Sequence, residues 1–297
     1  MEQSRTPLDE SEEELHQRAA SIMRCSDFGD PSYRQGLRIL LQAMAREPAY
    51  TPMGRETAYG TILGTLIARL SAQRGLTALG ASLPMIQKPI VITGIPRTGT
   101  TALHKLMALD PQFQGLEHWL AETPMTRPPR SSWPDNPAYR ASVAGLQAFF
   151  AAMPEMRKAH DMVADEVGEC LDVLRQSFVS NRFGSSIFVP RYDEWFFAQS
   201  ETDSYRHYAR VVRLVGAAQP DKRWLLKNPG HITQLGALLE VFPDAMIIHT
   251  HRDPLAAIPS LCSTLYMARR IYEGENTRRD RQEAQGRQML RQHERRA

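Results

Sequence analysis

The stretch Gly94-Ile-Pro-Arg-Thr-Gly-Thr-Thr101 follows the short β-branched run KPIVITG (Lys88 to Gly94) and opens a helical pattern from Thr100 to Leu109. Strand, glycine loop and helix in that order constrain the chain more than any other feature. A continuous apolar run ending in glycine reads as a buried strand of a parallel sheet. Glycine lets the backbone turn sharply and come close to an anion, and the first turn of the helix offers N–H groups that have no intrahelical partner. Thr100 and Thr101 add hydroxyls, so the loop predicts an anion site. A nucleoside triphosphatase loop would carry lysine directly after Gly99, where this chain has Thr100, and a plain ATPase reading is weakened accordingly. The cation here is Arg97, inside the loop, whose planar fork suits a tetrahedral oxyanion.

Two more strands are predicted at Arg223 to Lys227 (RWLLK) and Ala245 to Thr250 (AMIIHT), separated by the helix-like ITQLGALLEVF and followed by a helix from Pro254. Such alternation implies right-handed βαβ units. The fold class expected is α/β: a P-loop-type parallel sheet flanked by helices, with an N-terminal helical extension. Helical spacing over residues 9 to 75 predicts two or three helices within an extension of residues 1–85. An α/β domain over 86–273 would follow, with a mainly helical insertion at about 123–215, and then a basic tail over 274–297. Five of the 20 prolines fall between Thr123 and Pro137, which predicts a loop over the edge of the sheet.

With 297 residues and 42% hydrophobic content the chain can fill a sizeable core. Its 36 Lys+Arg against 33 Asp+Glu leave a net charge of +3, and the tail alone holds seven Arg against four acidic residues. The body is therefore formally neutral, which argues against a nucleic-acid partner. Cys25, Cys170 and Cys262 are odd in number and widely spaced, excluding a disulfide framework and a CxxC zinc site. No run approaches the roughly 20 apolar residues of a membrane span, and the N-terminus lacks a basic stretch leading into an apolar one. A soluble, cytoplasmic protein is expected. Asp165, Glu166 and Glu169 stand at helical spacing and read as a solvated acidic face, so no metal is expected there; His160 and Asp161 read as a helix-surface pair.

A second candidate anion site follows the last strand. Arg252 ends that strand, Asp253 and Pro254 open a helix, and Ser260 lies eight positions after Arg252, about 12 Å if fully helical. Arginine and serine could hold one anion between them. By residues alone, a capped helix whose arginine pairs with a carboxylate remains open.

Together the segments resemble the sulfotransferase family that uses 3'-phosphoadenylyl sulfate as donor, in its bacterial-type branch. The likeness is carried by PRTGTT (Pro96 to Thr101), by WLLKNPGH (Trp224 to His231) and by HRDP (His251 to Pro254), and covers roughly Pro89 to Leu265. It implies that Arg97, Thr98, Gly99, Thr100 and Thr101 hold the 5'-phosphate and sulfuryl group, and that Arg252 and Ser260 hold the 3'-phosphate. Lys227 would stand beside the sulfuryl group, where with Arg97 it neutralises charge on the leaving oxygen. A base must take the acceptor's proton. The expected order of candidates is His231, then Glu117, then His118; the cytosolic branch has its histidine two residues after the matching lysine, whereas His231 lies four after Lys227.

The reaction so implied is in-line sulfuryl transfer to a hydroxyl or amine, with no metal required. Trp119, Trp133, Phe149, Phe150, Trp195, Phe196 and Phe197 in the inserted segment suggest an apolar alcohol, phenol or lipid-like acceptor, although core packing accounts for most of them. Family members generally continue past the HRDP helix with a late basic, glycine-containing segment, whereas this chain ends 37 residues after Ser260, which implies a truncated or short form. Two other readings stand beside the enzyme: a non-catalytic protein that binds the bisphosphate nucleotide, and a P-loop phosphotransferase.

Overall fold

The computed structural model describes residues 7–47 and 49–277. Three helices come first: α1 (Glu12–Met23), α2 (Tyr33–Ala45) and α3 (Pro52–Leu79). The Thr51 hydroxyl starts α3 by accepting the Gly54 N–H at 2.9 Å, and Pro52 occupies the first turn, where no helical hydrogen bond is lost. Ala58, Ile62, Leu66 and Leu70 recur at helical spacing and are fully buried. They pack with Leu15 of α1 and Leu37, Leu40 and Leu41 of α2 in one cluster. Each leucine contributes about 2 kcal/mol by leaving water.

Strand β1 (Ile90–Gly94) leads into α4 (Thr100–Met107), and a two-residue β2 (Phe113–Gln114) into α5 (His118–Glu122). The middle of the chain is helical, with α6 (Pro137–Ala152), α7 (Pro154–Ala159), α8 (Leu171–Leu174), α9 (Arg182–Ser186), α10 (Pro190–Phe197) and α11 (Thr202–Gly216). Then come β3 (Arg223–Lys227), α12 (Leu235–Val241), β4 (Met246–Thr250) and α13 (Pro254–Glu273). The proline-rich stretch after α5 is irregular apart from one 3-10 turn at Arg130–Asp135.

All four strands run parallel in the order β2-β3-β1-β4. Alternation along the strands sends Val91, Trp224 and Leu226 to one face, against Val211 and Val215 of α11 and Leu238 of α12. Ile90, Ile92 and Leu225 face the other way, against Leu103 and Met107 of α4. Both faces are thus covered, and the architecture is α/β. Ile92 stands beside Lys227 and Gly94 beside Thr250, so three strand ends meet at one edge of the sheet. Among the described residues no helix is long and apolar enough to cross a membrane. The basic tail expected over 274–297 lies, from residue 278 on, outside the described residues.

Arg69 joins the helical layer to the rest. Its side chain is buried on α3, and Nε donates to Phe28 O at 2.8 Å, Nη1 to Gln176 O at 3.0 Å and Nη2 to Asp30 O at 2.7 Å. The guanidinium also lies 4.1 Å from the centroid of the Tyr33 ring. Arg69→Leu leaves three carbonyls without a donor and should cost about 3 kcal/mol of unfolding free energy, read from urea denaturation. A loss below about 1 kcal/mol would mean that water replaces the guanidinium without penalty.

Candidate functional site

The loop after β1 is held by its backbone and by β4. Gly94 has φ +145°, and a Cβ there would lie 2.6 Å from Thr250 O, so only glycine permits the close approach of the two strand ends. Arg97 and Gly99 also lie in the left-handed region, at φ 72° and 92°. The Thr98 hydroxyl donates to Ile95 O at 2.7 Å and sits 2.6 Å from the Thr250 hydroxyl. No side chain caps α4, whose first turn therefore presents its N–H groups beside Arg97.

The segment after β4 reaches the same loop. The Asp253 carboxylate accepts the Leu255 N–H at 2.9 Å and Pro254 begins α13, which continues through Pro259 to carry Ser260 inward. Arg97 Nε donates to Ser260 Oγ at 3.0 Å, and Arg252 Nη1 donates to Arg97 O at 3.1 Å. Arg97 is therefore in direct contact with both Arg252 and Ser260, each more than 150 residues away in sequence.

Lys227 ends β3 and is 2% exposed. Its ammonium donates to Thr101 Oγ1 at 3.2 Å, at the start of α4, and to Glu169 Oε1 at 2.5 Å. Here the structure corrects the sequence reading. Residues 161–170 contain no helix, and the three acidic residues there diverge. Asp165 pairs with Arg130, Glu166 with Lys105, and Glu169 turns inward to Lys227. Burial alone would raise the Glu169 pKa, but the Lys227 ammonium and the nearby His160 leave it below the ordinary value. His160 follows α7 rather than standing on a helix surface. Burial lowers its pKa, with Glu169 and Lys227 acting on it in opposite senses. His104 on α4 is held neutral, its pKa pushed down to about 3 by burial and then by Lys227, and it donates Nε2–H to Leu225 O at 3.3 Å. No group of His, Cys, Asp and Glu suited to a metal ion occurs among the described residues.

Each of the three base candidates read from the sequence has a partner of its own. His231 is fully buried in the 3-10 turn Pro229–Gln234, its Nδ1 2.7 Å from the Tyr205 hydroxyl and its ring packed against those of Tyr205 and Tyr208. Burial pushes its pKa down to about 3. Glu117 occupies the N-cap position of α5, three residues beyond β2, and its Oε2 accepts from Arg127 Nε at 3.1 Å and Nη2 at 3.0 Å. His118 lies 3.4 Å from Glu122; burial would lower its pKa, but Glu122 and then Asp172 raise it overall. The hydrogen bonds of Lys227 go to Thr101 and Glu169, and none of the three candidates shares them. A cavity of about 810 Å³ lies against β2, lined by Phe113, Glu117, Arg127 and Trp133 and by none of Arg97, Thr101, Lys227 and Arg252. Trp119, Trp133, Phe150 and Phe196 are core residues.

The family model described as "Sulfotransferase family" matches residues 89–297. The chain belongs to the sulfotransferase family. The crystal structure of sulfotransferase STF1 from Mycobacterium tuberculosis H37Rv superposes with a TM-score of 0.88 at 35% identity, covering 97% of this chain and 80% of that one. STF9 from Mycobacterium avium shares the fold, with a TM-score of 0.83 at 24% identity over 99% of this chain and 75% of that one. A curated relative, omega-hydroxy-beta-dihydromenaquinone-9 sulfotransferase Stf3 of Mycobacterium bovis, is 30% identical over 194 residues. That match takes in 62% of this chain and 46% of the relative, so this sulfotransferase-family chain spans about half the length of the curated relatives it matches.

Three buried imidazoles make stability depend on pH. The pKa values of His104, His207 and His231 are pushed to about 3, chiefly by burial, from an ordinary 6.5. The unfolded chain binds more protons between those limits, so stability is full above pH 6.5 and falls as pH drops toward 3. Each imidazole contributes about 1.4 kcal/mol per pH unit to that slope. His231→Gln should flatten the slope by about that amount in urea denaturation between about pH 6 and pH 4. An unchanged slope would mean that His231 takes up its proton in the folded state.

Proposed function

We propose that the chain moves a sulfuryl group from 3'-phosphoadenylyl sulfate to the hydroxyl of an apolar acceptor. One observation carries this reading: Arg97, in the loop that suits a 5'-phosphosulfate, touches Ser260, while Arg252 closes on the carbonyl of Arg97. A doubly phosphorylated adenosine needs two anion-holding elements at such spacing along one rim. The uncapped start of α4, the Thr98 to Thr101 segment and Arg97 fit the 5' end, and Arg252 with Ser260 fits the 3'-phosphate.

The donor would supply an activated S–O bond whose cleavage leaves negative charge on a phosphate oxygen. The protein's part is to neutralise that oxygen and to hold donor and acceptor in line. Arg97 and Lys227 serve the first task, and Thr101 fixes Lys227 against the helix start. The name of the curated relative specifies a hydroxylated menaquinone, and by that likeness a long apolar alcohol is the acceptor class favoured here.

Calorimetric titration with adenosine 3',5'-bisphosphate, adenosine 5'-phosphate and magnesium ATP tests the donor. The bisphosphate should bind tightest. Arg97→Ala should weaken both adenosine 5'-phosphate and the bisphosphate, whereas Arg252→Ala should weaken the bisphosphate by about 10–100-fold and spare the 5'-phosphate. Tightest binding of magnesium ATP would favour a phosphotransferase, and tight bisphosphate binding without transfer to any alcohol, phenol or amine would favour a non-catalytic binding protein.

A further inference from the structure

We infer that Glu169 is the carboxylate that takes the acceptor's proton, an assignment that rests on the sulfuryl-transfer reading above. Its backbone is pinned on both sides at the carboxyl edge of the sheet. Gly168 N donates to Leu116 O at 2.7 Å, and Cys170 N donates to Lys227 O at 2.9 Å. A residue clamped between two strand ends keeps its side chain in place without help from a ligand. From there Oε1 accepts from Lys227, whose ammonium also reaches Thr101 on the phosphate loop's helix. Carboxylate and loop are thus separated by a single ammonium group.

Access separates Glu169 from its rivals. Its side chain is 20% exposed, against 2% for Lys227, and among the described residues no hydrogen bond reaches Oε2. His231 is shut in by two tyrosine rings, the Glu117 carboxylate already holds two nitrogens of Arg127, and His118 faces Glu122. The groups that bear on Glu169 include Lys227 at the end of β3, His160 after α7 and Asp172 on α8, and the charge of Glu169 is felt in turn by His104 on α4 and by His231. The carboxylate is held in the ionised form that a base requires.

The step balances as follows. The acceptor O–H gives its proton to Glu169 Oε2 as the acceptor oxygen forms a bond to sulfur. The bond from sulfur to the bridging phosphate oxygen breaks, its electron pair staying on that oxygen, where Lys227 and Arg97 neutralise it. Adenosine 3',5'-bisphosphate and a sulfate ester leave, and the carboxylic acid returns its proton to water.

A role limited to seating Lys227 is the competing account, and a phenol series of graded acidity separates the two. Glu169→Gln keeps the shape and the acceptor oxygen for Lys227. It should bind the bisphosphate within about 3-fold of the unmodified chain and lose about 10²–10⁴ in kcat/KM on weakly acidic phenols. The loss should shrink by at least about 10-fold for phenols that are already ionised at neutral pH and need no base. Glu169→Asp should show the same dependence on the acceptor with a smaller loss, and it serves if the glutamine variant does not fold. A loss equal across all phenols, accompanied by weaker bisphosphate binding, would make Glu169 only the seat of Lys227. Full rate in Glu169→Gln, or an acceptor-dependent loss in His160→Gln and none in Glu169→Gln, would overturn the assignment while leaving sulfuryl transfer intact. No transfer by the unmodified chain would remove both the transfer reading and this inference.

Discussion

The parallel alignment of β3, β1 and β4 governs the site. Parallel strands joined by crossovers end on the same side, and the register sets Ile92 beside Lys227 and Gly94 beside Thr250. The exits from the three strands are the Gly94 to Thr101 loop, the lysine and the Arg252 segment, so residues remote in sequence become neighbours before any side chain interacts. Gly94 tightens that approach, because a larger residue would meet Thr250 O. Arg97 follows at φ 72°, a conformation that costs a residue with a side chain about 1–2 kcal/mol. Two contacts over-determine it: the Arg97 carbonyl accepts from Arg252 and the Arg97 guanidinium donates to Ser260. The strain is thereby tied to the joining of the two segments proposed to hold the nucleotide's phosphates.

Charge follows from that geometry. In a triphosphatase loop the lysine stands directly after the last glycine, whereas here Thr100 takes that place and the ammonium comes from the next strand, as Lys227. Removing an ammonium from water is costly unless it is paired, and breaking a buried pair typically costs about 3–5 kcal/mol. Glu169 and Thr101 supply the pairing for Lys227. Beneath them His104 is kept neutral by burial and by the same lysine, so it adds no further positive charge.

How much of this was legible in the sequence depended on range. The three longer strands were readable because each is a short apolar run bounded by turn residues, and β1 with its loop was readable from local order alone. The meeting of Arg97, Arg252 and Ser260 could be expected because each lies within a few residues of a strand end or helix start. Glu169 carried no such signal. It sits in an irregular segment whose spacing to Asp165 and Glu166 mimics a helix face, and its inferred role arises only when Gly168 bonds to Leu116, just past β2, and Cys170 to Lys227 at the end of β3. The one clue was indirect, since a lysine at the end of a buried strand requires a carboxylate from somewhere. The surroundings of His231 were illegible for a related reason: α11, 26 residues earlier in the chain at Tyr205, closes over it and turns a polar residue into part of the core.

Burial of Lys227 also bears on when Glu169 becomes a useful base. In the present arrangement the ammonium lies against the carboxylate and lowers its affinity for a proton, which suits a charge pair more than a catalyst. Under the proposed reading, a phosphosulfate at the start of α4 brings negative oxygens to the same ammonium through the side bearing Thr101. Lys227 then divides its charge between two anionic neighbours, and the new one repels the carboxylate. Both effects raise the proton affinity of Glu169 from its lowered value, and a stronger base takes the acceptor's proton more readily. The buried ion pair would thus keep Glu169 a weak base until the donor is in place, and strengthen it at the step that needs one.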